Sequence, residues 1–452
     1  MTIVWISRAP DARSKPNILL ITLDTTRWDH LSCYGHSVEI TPTLDKLAGE
    51  GVKYEHAITP SSWTLSAHAS LFTGMLPTHH NAHFGIDQNA ETDETVAFTF
   101  YPLHPTLPTL AGELRKAGYY TRGVTGGPTL DSDFGFGHGF DHYDDRLPKG
   151  ESPERHAGVV TFLATRWLKE YCSNPDAKPF FLFLNYFDPH NPYQAPAPWG
   201  NSKVPEELFN LRSPRYDDVF SGNRDLTDEE RRILLSQYSD EVRFMDNQIG
   251  RLFDEMKRLG VYDSTLIVAT SDHGESFGEH RLLEHGRALY EELIRVPLII
   301  KYPSRDEKRS VVERRVSILS IMPTLLHYIG HPIPKTVECG TLDEGDQLLI
   351  AEIYRDIVWI KTYGERFDRD QKTIYDGNHK WIWQSNGEHE LYEISEDPEE
   401  KNNLFGKLPD VERRFQSRLV PLIEESKKLS SITPPQIDKE LQQRLKALGY
   451  TQ

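Results

Sequence analysis

Asp24 closes an apolar run, Ile18-Leu19-Leu20-Ile21-Thr22-Leu23-Asp24. Such a run reads as a buried parallel strand, and ligands of α/β sheets gather at the carboxyl ends of those strands. A later segment, Thr64-Leu65-Ser66-Ala67-His68-Ala69-Ser70-Leu71-Phe72-Thr73-Gly74, begins with a hydroxyl and stops at glycine, which predicts a short helix. A helix N-terminus offers unpaired N–H groups and partial positive charge, so it favours an alkoxide or a bound tetrahedral anion. Far downstream, Leu266-Ile267-Val268-Ala269-Thr270 reads as another strand and ends in Ser271-Asp272-His273-Gly274-Glu275. One hard oxygen beside one imidazole suits Zn²⁺ or Mn²⁺ and tolerates Ca²⁺. Asp24, Asp272, His273 and Thr64 together make an expected divalent-metal site, of one or two ions, holding Thr64 as an oxygen nucleophile. The bland alternatives are a helix cap at Asp24 or Thr64 and a plain strand-end turn at Asp272.

The elements that must position these groups follow from periodicity. Residues 17 to about 335 alternate apolar strand-like runs with amphipathic helix patterns, which predicts a large, mostly parallel sheet covered by helices. Phe180-Phe181-Leu182-Phe183-Leu184 is a further strand, leading to Asp188 and His190. Thr227-Asp228-Glu229-Glu230 is a capping box that opens a long helix, with Val242, Met245, Ile249, Leu252 and Met256 on one apolar stripe. From about 340 the runs shorten, with turns at Asp376-Gly377 and Asn386-Gly387, predicting a small antiparallel sheet and a closing helix near 409–427. The expected organisation is an extension over 1–16, a catalytic α/β domain over 17–338 and a C-terminal subdomain over 339–452.

Composition narrows the function. The chain has 452 residues, 38% hydrophobic and 11% aromatic, enough for a packed globular protein. A net charge of −17 disfavours nucleic acid, which wants clustered Lys and Arg. Cys33, Cys172 and Cys339 are odd in number and far apart, so neither a disulfide framework nor a thiolate metal site is expected. The apolar stretch Ile3-Val4-Trp5-Ile6 is too short for a signal core or a membrane span. Cytoplasmic residence and no membrane partner are therefore the expectations; homo-oligomerisation stays open.

The chain resembles the sulfatase family of the alkaline phosphatase superfamily. The resemblance runs in order through the segments above. It continues in Gly135-Phe136-Gly137-His138-Gly139-Phe140-Asp141, Phe187-Asp188-Pro189-His190-Asn191-Pro192-Tyr193 and His285-Gly286-Arg287-Ala288-Leu289-Tyr290-Glu291, then Arg295-Val296-Pro297-Leu298-Ile299 and Leu391-Tyr392-Glu393-Ile394-Ser395-Glu396-Asp397-Pro398. It implies a metal-dependent hydrolase of a small-molecule sulfate or phosphate ester. It also implies that His190 and His285 bind the tetrahedral anion, protonate the leaving group or join a second metal. Two departures stand out. Thr64 occupies the place where the family carries the residue converted to formylglycine, and His68 the place of its usual arginine, where a substrate contact is expected. Oxidising threonine would give a ketone, so the usual aldehyde hydrate is out of reach, and a plain threonyl ester must be cleaved by water. Phosphorus chemistry tolerates that route. The expected reaction is therefore hydrolysis of a phosphate or phosphonate ester by Thr64, with His190 or His285 as the acid. The competing readings are a sulfuric ester hydrolase working without formylglycine, a head-group transferase and a non-catalytic metal- or anion-binding protein. Trp63, Phe84, Tyr101 and Trp199 are either pocket lining or ordinary packing.

Overall fold

The computed structural model describes residues 15–85, 99–146, 154–174, 176–200, 203–306, 308–344, 348–426, 441 and 443–445. The expected N-terminal extension lies outside them up to residue 14.

Eight strands form the main sheet: Asn17–Leu23 (β1), Val52–Ile58 (β2), Tyr120–Val124 (β3), His142–Asp144 (β4), Phe180–Tyr186 (β5), Thr265–Thr270 (β6), Arg295–Lys301 (β7) and Ser310–Ser317 (β8). Their spatial order is β8-β2-β7-β6-β1-β5-β3-β4. Every neighbouring pair is parallel except those of β7, which runs against both β2 and β6. The centre is the apolar run that the sequence marks: β1 lies between β5 and β6, with Leu23 opposite Tyr186 and Thr22 opposite Thr270. All three strands are almost wholly buried, as expected of parallel strands covered on both faces. Asp24, Phe187 and Ser271 therefore leave the sheet side by side at one edge.

Helices cover both faces. Thr64–Thr73 (α1 here) packs its whole length inside and ends at Gly74, whose φ of 67° is a left-handed stop. On the other face, Asp228–Arg258 (α2) begins at the Thr227–Glu230 capping box and buries the Val242-Met245-Ile249-Leu252-Met256 stripe. The small antiparallel sheet comprises Ile350–Ile353 (β9), Gln371–Asp376 (β10), His379–Gln384 (β11) and Glu390–Glu393 (β12), with the closing helix Pro409–Ser426 (α3). It does not stand apart. One apolar cluster joins Phe183, Val268 and Trp63 to Ile353, Trp359, Tyr375 and Ile382, so the chain on either side of 338 shares a core. The three cysteines are free thiols. No helix among the described residues is long and apolar enough to cross a membrane.

Candidate active site

The edge where β1, β5 and β6 end collects the predicted residues. Asp24, Asp272 and His273 place one ligand atom each within 4.8 Å of one another. The backbone builds this arrangement. The Asp24 N–H donates to Tyr186 O at 2.8 Å. Ser271 Oγ donates to Leu23 O at 2.6 Å. Thr25, a β-branched residue at φ 51°, turns its N–H onto Asp272 Oδ1 at 3.1 Å. That conformation is rare for such a residue and persists because the surrounding contacts hold it.

Asn185 Nδ2 donates to Asp24 Oδ2 at 3.1 Å; among the described residues Asp24 Oδ1 has no hydrogen-bond partner, and Asp272 Oδ2 has only His273 Nε2 at 3.3 Å and His68 Nδ1 at 3.5 Å near it. Burial, and then the Asp272 charge, hold the Asp24 carboxyl well above the usual carboxylate range. Two buried acids with no lysine or arginine paired to them among the described residues fit a divalent cation, whose charge would compensate them. Thr64 meets this cluster: its Oγ1 lies 3.0 Å from His273 Nε2. The threonine is not the helix cap. Trp63 is, with no side-chain capping bond, so the Thr64 hydroxyl is committed to the cluster rather than to the helix.

His190 and His285 come to the same place. The ring centroids of His273 and His285 are 4.4 Å apart, and those of His285 and His190 5.1 Å. Phe187 stacks on His190 at 4.2 Å. Burial first, then neighbouring His273 and His190, keep His285 well below the usual histidine range; burial brings His190 down to about 3. Both are neutral imidazoles near pH 7 until an anion arrives, whose charge favours the protonated form.

His68 is fully buried. Its Nδ1 is 2.9 Å from Thr64 O and its Nε2 2.9 Å from Thr22 Oγ1. Phe72, Phe136 and Phe183 pack around the ring. Both ring nitrogens have partners within the fold, and Nδ1 also lies 3.5 Å from Asp272 Oδ2, so the ring sits beneath Thr64 and beside the carboxylate cluster. Of the four aromatics, Trp63, Phe84 and Tyr101 are buried in packing; Trp63 still approaches His285, at 5.9 Å.

Several partners escaped the sequence. Asn185 follows an apolar run with no motif to mark it. Glu275, fully buried, lies 3.0 Å from His285 Nδ1 through Oε1 and accepts from Tyr193 at Oε2. It fixes the ring and leaves His285 Nε2 without a hydrogen bond among the described residues. Its position in the Asp272-His273-Gly274-Glu275 segment was the available signal. Arg212 and Arg287 are both felt electrostatically by His285; Arg212 lies in a stretch with no signal, whereas Arg287 follows His285 within one of the family-like segments.

Comparison with known proteins agrees with the geometry. A family model described as Sulfatase matches residues 16–331, and one described as N-sulphoglucosamine sulphohydrolase, C-terminal, matches 278–425. An arylsulfatase of Clostridium perfringens is 26% identical over 86% of this chain and 90% of its own. A multifunctional alkaline phosphatase superfamily protein of Trinickia caryophylli is 26% identical over 87% of this chain and 92% of its own. The structure of a phosphonate monoester hydrolase of Agrobacterium radiobacter superposes with a TM-score of 0.67 at 22% identity, covering 91% of this chain and 96% of that one.

Proposed function

This chain belongs to the sulfatase family and is an ester-bond hydrolase, and on that premise we propose that it hydrolyses phosphate or phosphonate esters with unmodified Thr64 as nucleophile. The observation that carries this reading is the 3.0 Å approach of Thr64 Oγ1 to His273 Nε2 beside the buried carboxylates of Asp24 and Asp272. Asp24, Asp272, His273 and Thr64 would hold a divalent cation, which supplies charge to lower the hydroxyl pKa and to neutralise the non-bridging oxygens of the ester. Thr64 gives up its hydroxyl proton to solvent, Oγ1 attacks the phosphorus, the phosphorus–oxygen bond to the alcohol breaks as the new one forms, and a threonyl ester results. His285, oriented by Glu275, takes up a proton from solvent as the anionic ester binds and gives that proton to the departing alcohol through Nε2, with His190 beside it. Water then cleaves the ester and restores Thr64. The relative from Trinickia caryophylli, named multifunctional within the alkaline phosphatase superfamily, supports chemistry beyond sulfate in this scaffold.

A sulfuric ester hydrolase is the second reading. The C-terminal match to the sulphohydrolase model and the arylsulfatase relative favour it. The deciding experiment strips the protein of metal, refills it with Zn²⁺, Mn²⁺ or Ca²⁺, and compares 4-nitrophenyl sulfate, 4-nitrophenyl phosphate, a bis(4-nitrophenyl) phosphodiester and a phenylphosphonate ester. The expected result is a higher kcat/KM for a phosphorus ester. Faster turnover of the sulfate would overturn the proposal in favour of the second reading.

A further inference from the structure

Arg212 is the cation that the proposed chemistry leaves unused. Its Nη2 pairs with Glu284 Oε2 at 3.0 Å, and its guanidinium lies over the Trp359 ring at 5.6 Å. Glu284 also accepts from Asn191 Nδ2 at 3.3 Å, and Asn191 Oδ1 holds the Leu211 N–H at 3.0 Å. This closed loop of contacts ties Arg212 to the residue after His190 and to the residue before His285. Its buried Nε has no hydrogen-bond partner among the described residues. A guanidinium carries five N–H donors in a rigid fork, so pairing with one carboxylate oxygen leaves capacity for an oxyanion.

Arg287 makes a useful contrast. It lies 4.0 Å over Trp359, flanked by Trp63 and Phe84, with Asp356 3.5 Å away. Its side chain is 6% exposed, against 23% for Arg212. Arg287 is packed as part of the wall, whereas Arg212 is the guanidinium that solvent, and hence a ligand, can reach. Arg212 is also one layer removed from the nucleophile: it joins the cluster through Glu284, the residue before His285, whereas the His285 ring itself lies 4.4 Å from that of His273.

We propose that Arg212 anchors a second anion subsite beside the scissile ester, and that the preferred substrates carry a further oxyanion, such as a carboxylate, on the alcohol that leaves. Glu284 holds the fork in place and Trp359 shelves it, so the arginine is preorganised before substrate arrives. The site also answers an electrostatic difficulty. A chain of net charge −17 repels dianionic ligands at long range, and a partly buried arginine provides a strong local contact against that background.

The inference rests on the ester-hydrolase reading, so its test uses two readouts. The first compares kcat/KM for a 4-nitrophenyl ester and its ring-carboxylated analogue, on the metal-loaded enzyme and on Arg212→Gln and Arg212→Lys. The ratio of carboxylated to neutral substrate is expected to fall about tenfold or more in Arg212→Gln, the size of one charged hydrogen bond, and to recover in part in Arg212→Lys. An equal loss on both substrates would overturn the subsite and leave Arg212 a structural group. The second readout is calorimetric binding of ring-carboxylated nitrophenol and of 4-nitrophenol to the same proteins. If no ester is turned over, the hydrolase reading fails by itself, and binding decides the subsite. Weaker binding of the carboxylated phenol alone in Arg212→Gln supports it; unchanged binding of both phenols overturns it.

Discussion

Among the described residues, two clusters bring a histidine and two carboxylates within 4.8 Å: the buried Asp24, Asp272 and His273 at the strand ends, and the half-buried His280 with the buried Glu292 and Glu400. They differ in charge balance. In the first, no lysine or arginine pairs with either carboxylate among the described residues: Asp24 Oδ1 has no hydrogen-bond partner, and Asp272 Oδ2 has only His273 Nε2 at 3.3 Å and His68 Nδ1 at 3.5 Å near it. In the second, Lys380 reaches Glu400 Oε1 at 2.8 Å and Glu291 at 3.4 Å, Glu400 Oε2 accepts the Glu291 N–H, and His280 stacks on Tyr290 with ring centroids 3.6 Å apart. In the second cluster a buried lysine already pairs with Glu400, though not with Glu292, and the contact fastens the small sheet to the 279–292 segment. Ligand type alone therefore does not distinguish a metal site from a structural ion-pair network. Uncompensated charge does.

Breaking the first cluster should remove activity, and breaking the second should remove stability. Thr64→Ala is expected to lower kcat by on the order of 10⁴-fold or more while keeping the metal; steady-state turnover with metal content measured on the same sample checks both parts. Lys380→Met leaves Glu400 and Glu291 buried beside each other without their cation, and should cost about 3–5 kcal/mol in urea unfolding, with bound metal unchanged. Asp272→Asn should weaken metal binding by about a hundredfold in equilibrium dialysis, whereas Glu292→Gln should leave it as it was. A matching loss in Glu292→Gln would mean that the second cluster, too, holds a cation.

The last comparison concerns pH dependence. Burial, and then neighbouring carboxylates, push Glu292 up to about 8, and burial brings Glu400 to about 7. These folded values lie above the unfolded ones, so the folded state binds protons more tightly. The stability they contribute is fully present below the ordinary glutamate range and is lost as pH rises through 7 and 8. Between pH 5 and 8 the unfolding free energy should fall by up to about 1.4 kcal/mol per pH unit for each such group, and Glu292→Gln should flatten the slope. A slope unchanged in that variant would place the pH sensitivity elsewhere.

The strand-end cluster was legible because each member adjoins a long apolar run, and such runs announce both a buried strand and its end. Asp24, Asp272 and the 180–184 run needed nothing else. The Thr227 cap and the stripe from Val242 to Met256 read out for a similar reason: helix periodicity is local. The bonding of His68 was not legible because position on a helix does not say which way a ring is bonded; its partner Thr22 lies on another element. Asn185, Glu275 as a partner of His285, and the Arg212–Glu284–Asn191 loop depend on pairings across many intervening residues, which no local pattern encodes. The shared core across residue 338 was hidden likewise, since the change in texture there marks a new sheet and not a separate body.

The place of β1 between β5 and β6 has a consequence for the protein's birth. During synthesis the first strand emerges well before either of the strands that flank it. Its neighbour Phe180–Tyr186 lies far downstream, and Thr265–Thr270 further still. Until both have been made, the most apolar segment of the sheet has unpaired edges, the condition that favours slow folding and sticking to other chains. Helper proteins or low expression temperature should therefore raise the yield of this protein more through the first strand than through any later one, and the catalytic pocket becomes complete only after more than half of the chain has left the ribosome.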